Sequence, residues 1–423
     1  MFIIAIMKTN KPIWQKPWQY KEGIVISLTL LVLGFALEYS SGGRGVTHLI
    51  EYPQNLYFGI GLIVITALLS VFGKQSAIKQ WLESISAAIC SITLLLFVSL
   101  LMGLTLQYDS TAPDLIQKLG LSHVITSWPY LFANLLLLLS LGMVTLKNLK
   151  TFELRKLGYI VSHVGLWIVI FGANFGSSQL LRLQMEVNEG EISNVAYDMS
   201  TKTKYKMPFA IKLNDFVLDE YTPKLAIVNN HTGVLLNGKN KNIILVDTSV
   251  NSVLLDWEIN VEEYIYSSAK AGNRYYSINE QGAAPSALIN VIDKKGDTIS
   301  GWVGCGSYNR PYESLKLTNE LSLIMLFPEA KKFTSKIEIL EQNGTHHELE
   351  LQVNNPITID GWKIYQLSYD SELGRWSDVS VFEIVRDPWL PFVYTGIFLM
   401  LIGAVYMFWM GSRNKKISSS GAL

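Results

Sequence analysis

One histidine, His163, lies inside a long apolar stretch that runs from Leu157 to Ser178. An ionisable side chain at membrane depth is costly, so such residues usually have a functional role. A neutral imidazole nitrogen is a common axial ligand of haem iron. His163 is therefore a candidate haem ligand. The alternative interpretation, that His163 only hydrogen-bonds a neighbouring helix, fits the sequence equally well.

The residues around His163 form two neighbouring faces of a predicted helix. Small residues follow one face: Gly158, Ser162, Gly165, Gly172 and Gly176. A ridge of small residues lets another helix approach closely. The adjacent face carries Tyr159, His163, Leu166, Ile170 and Asn174. A close helix contact with a histidine beside it suits a planar cofactor held between helices.

The other five histidines give weaker signals. His48 and His123 lie in short loops near predicted membrane-span ends, where each is either an outer ligand or a solvated residue. His231, His346 and His347 lie in the polar middle of the chain, and the last two directly follow a predicted turn. A metal site needs several ligands at compatible spacing, and these three have no such companions.

Six stretches of the chain are nearly free of charge and long enough to cross a bilayer. Only 17% of all residues are charged, against about 25% in an ordinary soluble chain. Runs of about 20 apolar residues match the thickness of the hydrocarbon core. The predicted spans are Gly23–Leu37, Leu56–Gly73, Ile85–Gln107, Trp128–Leu146, Leu157–Ser178 and Pro388–Met410. The first is short, and we expect it to extend into the residues that follow Leu37.

The distribution of Lys and Arg predicts the orientation of these spans, because cytoplasmic loops are enriched in both. Four alternating segments are basic, and they contain Lys8, Lys11, Lys16 and Lys21; Lys74 and Lys79; Lys147, Lys150, Arg155 and Lys156; and Arg413, Lys415 and Lys416. The two intervening short loops carry one cation each, Arg44 and Lys118. We therefore expect both termini in the cytoplasm and residues 179–387 outside it.

The segment 179–387 has the patterns of antiparallel strands. The stretch from Phe209 to Val217 alternates in polarity, and Asn242–Asp247 is a short apolar run. Two hairpins are predicted, one around Asp293-Lys-Lys-Gly-Asp and one around Asn343-Gly344, where Asn-Gly favours a type I′ turn. We predict an antiparallel β-sandwich or two stacked β units with little helix.

Composition excludes several classes of function. The formal net charge is +0, which gives no basic field for binding nucleic acid. The two cysteines, Cys90 and Cys305, form no CxxC pair, so thiol redox chemistry by this chain is not expected. Nucleotide-binding P-loop, nucleophile-elbow and zinc-protease motifs are absent from the sequence.

Three stretches of the chain resemble the ResB (Ccs1) family of cytochrome c biogenesis proteins. The first is the helix from Gly158 to Ala173, with its H-x-G element at His163. The second is Val353-Asn-Asn-Pro-Ile with Gly361-Trp-Lys-Ile-Tyr-Gln-Leu-Ser-Tyr-Asp, and the third is Val385-Arg-Asp-Pro-Trp-Leu-Pro-Phe-Val-Tyr-Thr-Gly. The likeness extends over residues 155–410. The family commonly has three helices before its outer domain, whereas this sequence has five.

The resemblance implies a subunit of a system II cytochrome c synthase, working with a CcsA (ResC) type partner. Such a complex handles haem b in the cytoplasmic membrane and attaches it to the CxxCH of an apocytochrome c on the periplasmic side. The chain would then be a non-autonomous part of that haem lyase. His163 alone carries over from the family, as the transmembrane haem ligand.

The resulting expectation is an integral membrane α-helical protein with six transmembrane helices and an extracytoplasmic, mostly antiparallel β domain. The predicted regions are residues 1–178 with five spans, residues 179–387 with the β domain, and residues 388–423 with the sixth span and a short tail. Two other functions fit the same architecture: a membrane transporter component, or a membrane-anchored extracytoplasmic binding module without haem.

Overall fold

A computed structural model describes residues 12–73, 76–108, 111–236, 243–248 and 251–420, with side chains up to Met410. Lys8, Lys11, Lys74 and Asn242, on which predictions above rest, lie outside the described residues, as do the side chains of the basic tail. The chain divides into two compact units. The first comprises Met1–Leu181 and Arg386–Leu423, and the second comprises Arg182–Val385.

The first unit is helical. Its long helices are α1 (Tyr20–Ser40), α3 (Gln54–Phe72), α5 (Ile85–Leu104), α7 (Trp128–Lys150), α8 (Leu157–Gly176) and α9 (Leu390–Ser420), and its short ones are α2 (Thr47–Ile50), α4 (Ala77–Leu82) and α6 (Asp114–Lys118). In the described part of the chain, six helices have the length and composition to cross a membrane. The predicted number of six is confirmed. The last helix continues ten residues beyond its predicted end at Met410.

Helix α7 is the centre of this unit. It is 61% buried over its most apolar window, whereas the other five long helices are at most 33% buried. It packs against α1, α3, α5 and α8, and its residues enter both apolar clusters of the unit. The remaining long helices keep one side open, as expected for helices whose outer faces meet lipid or another protein.

Helices α8 and α9 meet along the predicted ridge of small residues. A Cβ placed on Gly165 would lie 2.5 Å from the carbonyl oxygen of Gly396, and one placed on Gly403 would lie 2.5 Å from that of Gly158. Ser162 Oγ donates a hydrogen bond to the carbonyl oxygen of Met400, at 3.3 Å. The two backbones therefore touch at two points seven residues apart, and only glycine permits such an approach.

The second unit consists of three sheets with antiparallel pairing between neighbouring strands. The largest has eight strands in the order β14 (His346–Gln352), β13 (Ala330–Glu341), β3 (Lys204–Glu220), β2 (Ile192–Tyr197), β1 (Leu181–Asn188), β17 (Val379–Arg386), β16 (Trp362–Tyr369) and β15 (Ile357–Ile359). The next has β10 (Thr298–Gly304), β9 (Ala284–Ile292), β7 (Trp257–Ala271) and β6 (Ser252–Leu254), with β8 (Arg274–Ser277) paired to β7. The smallest has β11 (Leu315–Lys316), β12 (Leu321–Met325), β4 (Lys224–Asn229) and β5 (Ile243–Leu245).

The eight-stranded sheet curls so that distant strands meet across its interior. Ser335 Oγ of β13 donates to Gln366 Oε1 of β16 at 2.6 Å, and it lies 2.7 Å from Ser380 Oγ of β17. All three side chains are buried, and in the sheet order β13 is separated from β17 by β3, β2 and β1. These polar groups satisfy one another inside an otherwise apolar interior.

The two smaller sheets pack face to face around a common apolar core. Ile227 of β4, Leu323 of β12, Val261 of β7 and Ile289 of β9 are each at most 4% exposed within it. The β unit therefore combines a curled eight-stranded sheet with a two-sheet sandwich. This confirms the predicted mostly antiparallel β domain.

Both predicted hairpins are present, but one predicted turn type is wrong. In the first hairpin, β9 pairs with β10, and Ile292 and Thr298 are the pair nearest the turn. In the second hairpin, β13 pairs with β14. At Asn343-Gly344 only Gly344 has positive φ, at +85°, and its amide donates to the carbonyl oxygen of Glu341. A type I′ turn needs positive φ at both central residues. The loop is instead one residue longer, with glycine in the left-handed position.

Cys305 lies in the core of the sandwich and is 1% exposed. Its thiol donates to the carbonyl oxygen of Pro285 at 3.8 Å. Burial raises the pKa of the Cys305 thiol to about 12. Because the thiolate is the reactive species, this cysteine is protected from alkylation and disulfide exchange.

We expect Cys305 in the folded protein to resist a maleimide at pH 8, where roughly one thiol in 10⁴ is ionised. Labelling followed by mass spectrometry measures this. The variant Ser277→Cys, which places a thiol at an exposed position, serves as the control and should react within minutes. Reaction of Cys305 at a rate close to that of the control would contradict the buried position.

The glycine contact between α8 and α9 gives a second prediction. Gly165→Ala should destabilise the protein by about 1–3 kcal/mol, since the added methyl group forces two packed backbones apart. The matched control is Gly61→Ala on α3, because a Cβ there meets nothing within 4 Å. Thermal unfolding in detergent, followed by tryptophan fluorescence, compares the two. Equal unfolding midpoints would refute the backbone contact.

Candidate functional site

The imidazole of His163 is oriented by its own helix. His163 Nδ1 lies 2.9 Å from the carbonyl oxygen of Tyr159, and the two rings are in contact, with centroids 3.7 Å apart and planes tilted by 32°. A carbonyl oxygen can only accept, so Nδ1 carries the proton and Nε2 presents its lone pair. Within the part of the chain that the structure describes, Nε2 has no hydrogen-bond partner. This is the tautomer that a metal-ligating histidine needs.

His163 lies between two contact surfaces of α8. On one side the small-residue ridge packs on α9, and on the other Trp167 Nε1 donates to the carbonyl oxygen of Leu138 in α7 at 3.2 Å. The face between them is half-buried along its length, and it carries Tyr159, His163, Leu166, Ile170 and Asn174. The imidazole thus lies on a flank of the helical unit that remains accessible.

The sequence favours a planar cofactor held between helices, next to a close helix contact. The helix pair that makes this contact, α8 and α9, leaves no room for a cofactor between its own two members. The carbonyl oxygen of Gly396 would lie only 2.5 Å from a Cβ on Gly165, so nothing fits between α8 and α9. A planar group bound to His163 would instead lie against the open face beside this contact.

The end of α8 is held by α2 and α3. Asn55 Nδ2 donates to the carbonyl oxygen of Phe175 at 2.9 Å, and Ser178 Oγ donates to that of Ile50 at 2.6 Å. Trp167, Phe171 and Phe175 follow one another along this side of α8, with successive ring centroids 4.9 Å apart. These contacts fix the rotation of α8 about its axis, and with it the direction in which His163 points.

His123 takes part in a buried polar cluster that the sequence did not reveal. Its Nε2 lies 3.3 Å from Oε1 of Glu38, a carboxylate with no solvent exposure at the end of α1. Oε1 also accepts from the Gly45 amide at 2.9 Å, and Oε2 accepts from the Trp128 amide at 2.9 Å. Glu38 therefore ties two loops and the start of α7 to α1. His123 is a structural partner of this acid.

The remaining histidines have polar or exposed surroundings of their own. His48 is exposed. On the second unit, His346 Nδ1 lies 2.9 Å from Glu338 Oε1, His347 Nε2 lies 3.1 Å from Glu341 Oε1, and His231 is exposed. No group of three or more His, Cys, Asp or Glu side chains suited to a metal ion occurs among the described residues.

Removing the Glu38 carboxylate should destabilise the helical unit. Glu38→Ala leaves the buried Gly45 amide and the partly buried Trp128 amide without acceptors, at a cost of up to about 1–3 kcal/mol for each. Glu38→Gln, which keeps one acceptor oxygen, should recover part of the loss. Thermal unfolding in detergent measures both variants against Glu51→Ala, an exposed control. A midpoint for Glu38→Ala equal to that of the control would rule out this role.

Comparison with known proteins adds to this geometry. The sequence profile of the ResB-like family matches residues 153–239 and 318–377. The first segment contains His163, α8 and strands β1 to β4, and the second contains the stretch from Val353 to Asp370. The predicted resemblance from Val385 onward lies outside both segments and stays a prediction.

One curated relative is the cytochrome c biogenesis protein Ccs1 of Guillardia theta. It is 31% identical over 101 residues, which is 24% of this chain and 22% of the relative. The match thus spans about a fifth of the relative's own length. The family profile and this relative agree with the resemblance seen in the sequence, and both support a relationship to the ResB-like (Ccs1) family.

Proposed function

We propose that the chain is a subunit of a system II cytochrome c synthase and provides His163 as an axial ligand of haem b. The match to the ResB-like family profile and to the Ccs1 relative supports a role in cytochrome c biogenesis. The single structural observation that carries the proposal is the accessible Nε2 of His163, on a helix whose rotation is fixed from two sides.

The single ligand that this chain offers suits a haem that is shared with another protein. His163 offers one nitrogen, and the half-buried face around it bears mainly apolar groups that suit the porphyrin plane. The described residues of the helical unit place no second histidine beside it. Any further ligand and the other wall of the site would come from a CcsA/ResC-type membrane partner.

Tyr159 sets the orientation and the tautomer of the His163 imidazole. The Tyr159 carbonyl accepts the hydrogen bond from Nδ1–H, which holds the ring in one orientation and leaves the Nε2 lone pair free to bind iron. When haem is bound, its iron supplies the redox chemistry that precedes thioether formation. The chain supplies ligation and orientation, and it acts as a non-autonomous part of the haem lyase.

The proposed location follows the charge distribution. Both termini lie in the cytoplasm, the six long helices cross the cytoplasmic (inner) membrane, and the β unit is periplasmic. The apocytochrome c with its CxxCH is then on the same side as the β unit. An unfolded segment of it would pair with a sheet edge of that unit by strand addition.

The variant His163→Ala tests the proposal in the complex purified with its partner. We expect the wild-type complex to show a b-type haem spectrum, which the variant loses and added imidazole restores, because imidazole occupies the space of the missing ligand. His48→Ala, at an exposed loop position, is the matched control and should retain the spectrum.

Retention of the partner through purification shows that the variant complex is assembled. An unchanged haem spectrum, together with unchanged cytochrome c maturation in cells that carry His163→Ala, would exclude His163 as the ligand.

A further inference from the structure

A cavity of about 160 Å³ lies in the second unit, beside the five-stranded sheet. Lys270 and Tyr275 line it from the hairpin of β7 and β8, and Arg310 lines it from the loop after β10. Ala284, Pro285 and Pro311 provide apolar wall. Its lining residues fall between the two segments that match the ResB-like family, so nothing in that match assigns it a role.

The two cationic side chains that line the cavity, Lys270 and Arg310, differ in how closely a carboxylate pairs with them. Lys270 Nζ lies 2.5 Å from Glu313 Oε1, and the Tyr275 hydroxyl donates to Glu313 Oε2 at 2.7 Å. Burial, and then the hydrogen bond to Glu313, raise the pKa of Tyr275, so its hydroxyl stays protonated at neutral pH. Lys270 is therefore neutralised by Glu313, and Arg310 is left as the principal positive charge of the cavity wall.

One N–H group of the Arg310 guanidinium has no hydrogen-bond acceptor among the described residues. Its Nε is shielded from solvent and has no hydrogen-bond partner among the described residues. Its nearest carboxylate, Glu280, lies 3.8 Å from one terminal nitrogen and is itself 74% exposed. A buried donor without an acceptor is unfavourable, and one edge of a guanidinium presents two parallel N–H groups.

The backbone holds Arg310 in this position. The Ser307 amide donates to the Arg310 carbonyl oxygen at 3.0 Å, and the Ser307 hydroxyl donates to the Gly282 carbonyl oxygen at 2.6 Å. Gly306 has φ of +66°, and a Cβ there would lie 2.9 Å from the Arg310 carbonyl oxygen. The turn thus requires glycine, and it keeps the arginine at the wall of the cavity.

We propose that this cavity binds a monocarboxylate group on a short alkyl stem, with Arg310 as its partner. A planar carboxylate matches the edge of a guanidinium in shape and charge, and the only carboxylate near Arg310 among the described residues is the distant, mostly exposed Glu280. The apolar wall accommodates the stem, and the volume suits a group of a few carbon atoms. Such carboxylates occur on acidic side chains of polypeptides, on haem propionates and on free short-chain acids.

Propionate is the probe for the test. Saturation-transfer NMR on the full chain in detergent should show propionate binding. Arg310→Gln should raise the apparent Kd for propionate by about tenfold or more, because a charge-assisted hydrogen bond is lost. Arg310→Lys keeps the charge without the planar edge and should also weaken binding. Lys294→Gln removes an exposed cation outside the cavity lining and serves as the control.

Competition distinguishes the three sources. Displacement of propionate by a blocked peptide that contains glutamate, but not by its glutamine analogue, assigns a polypeptide ligand. Displacement by haem, but not by haem dimethyl ester, assigns the propionates of haem. Displacement by neither assigns a free short-chain acid.

Equal propionate binding by the wild type and by a folded Arg310→Gln protein would overturn the proposal. Binding to Arg310→Lys at wild-type strength would overturn the role of the planar edge. Stronger displacement of propionate by phosphate than by acetate would overturn the carboxylate assignment.

Discussion

The backbone contact between α8 and α9 is the constraint on which the helical unit depends. Helix α8 precedes the β unit in the chain and α9 follows it, so this contact joins the two ends of a long insertion. Lipid offers little apolar driving force for helix association, and close packing of small residues takes its place. Gly165 and Gly396 supply that packing, and Gly158 and Gly403 repeat it two turns away.

The same contact gives His163 its setting. With one side of α8 closed by α9 and the other by α7, the imidazole occupies the face that is left open. Its proton is committed to the Tyr159 carbonyl, and its second nitrogen is directed away from the helix backbone. A histidine held in this way is incomplete as a cofactor site within the described part of the chain, which is consistent with the proposal of a haem shared with a partner.

Much of this architecture follows from patterns that act over short distances. Membrane-length apolar runs predicted six helices, and turn residues with flanking alternation predicted the hairpins. The small-residue ridge predicted a close helix contact, but its partner required three dimensions, because Gly396 follows Gly165 by more than two hundred residues. The structural role of Glu38 could not be predicted from the sequence for the same reason. Its hydrogen bonds reach Gly45, His123 and Trp128, and its only signal was an acid at the end of an apolar span.

The identity of the iron ligand is the central claim, and hyperfine spectroscopy tests it most directly. The His163→Gly complex, purified with its partner and supplied with ¹⁵N-imidazole, can be oxidised and measured by pulsed electron paramagnetic resonance. Our account predicts a ¹⁵N coupling to the ferric haem iron that is absent with unlabelled imidazole. A spectrum identical to that of the wild-type complex without any added imidazole would contradict it.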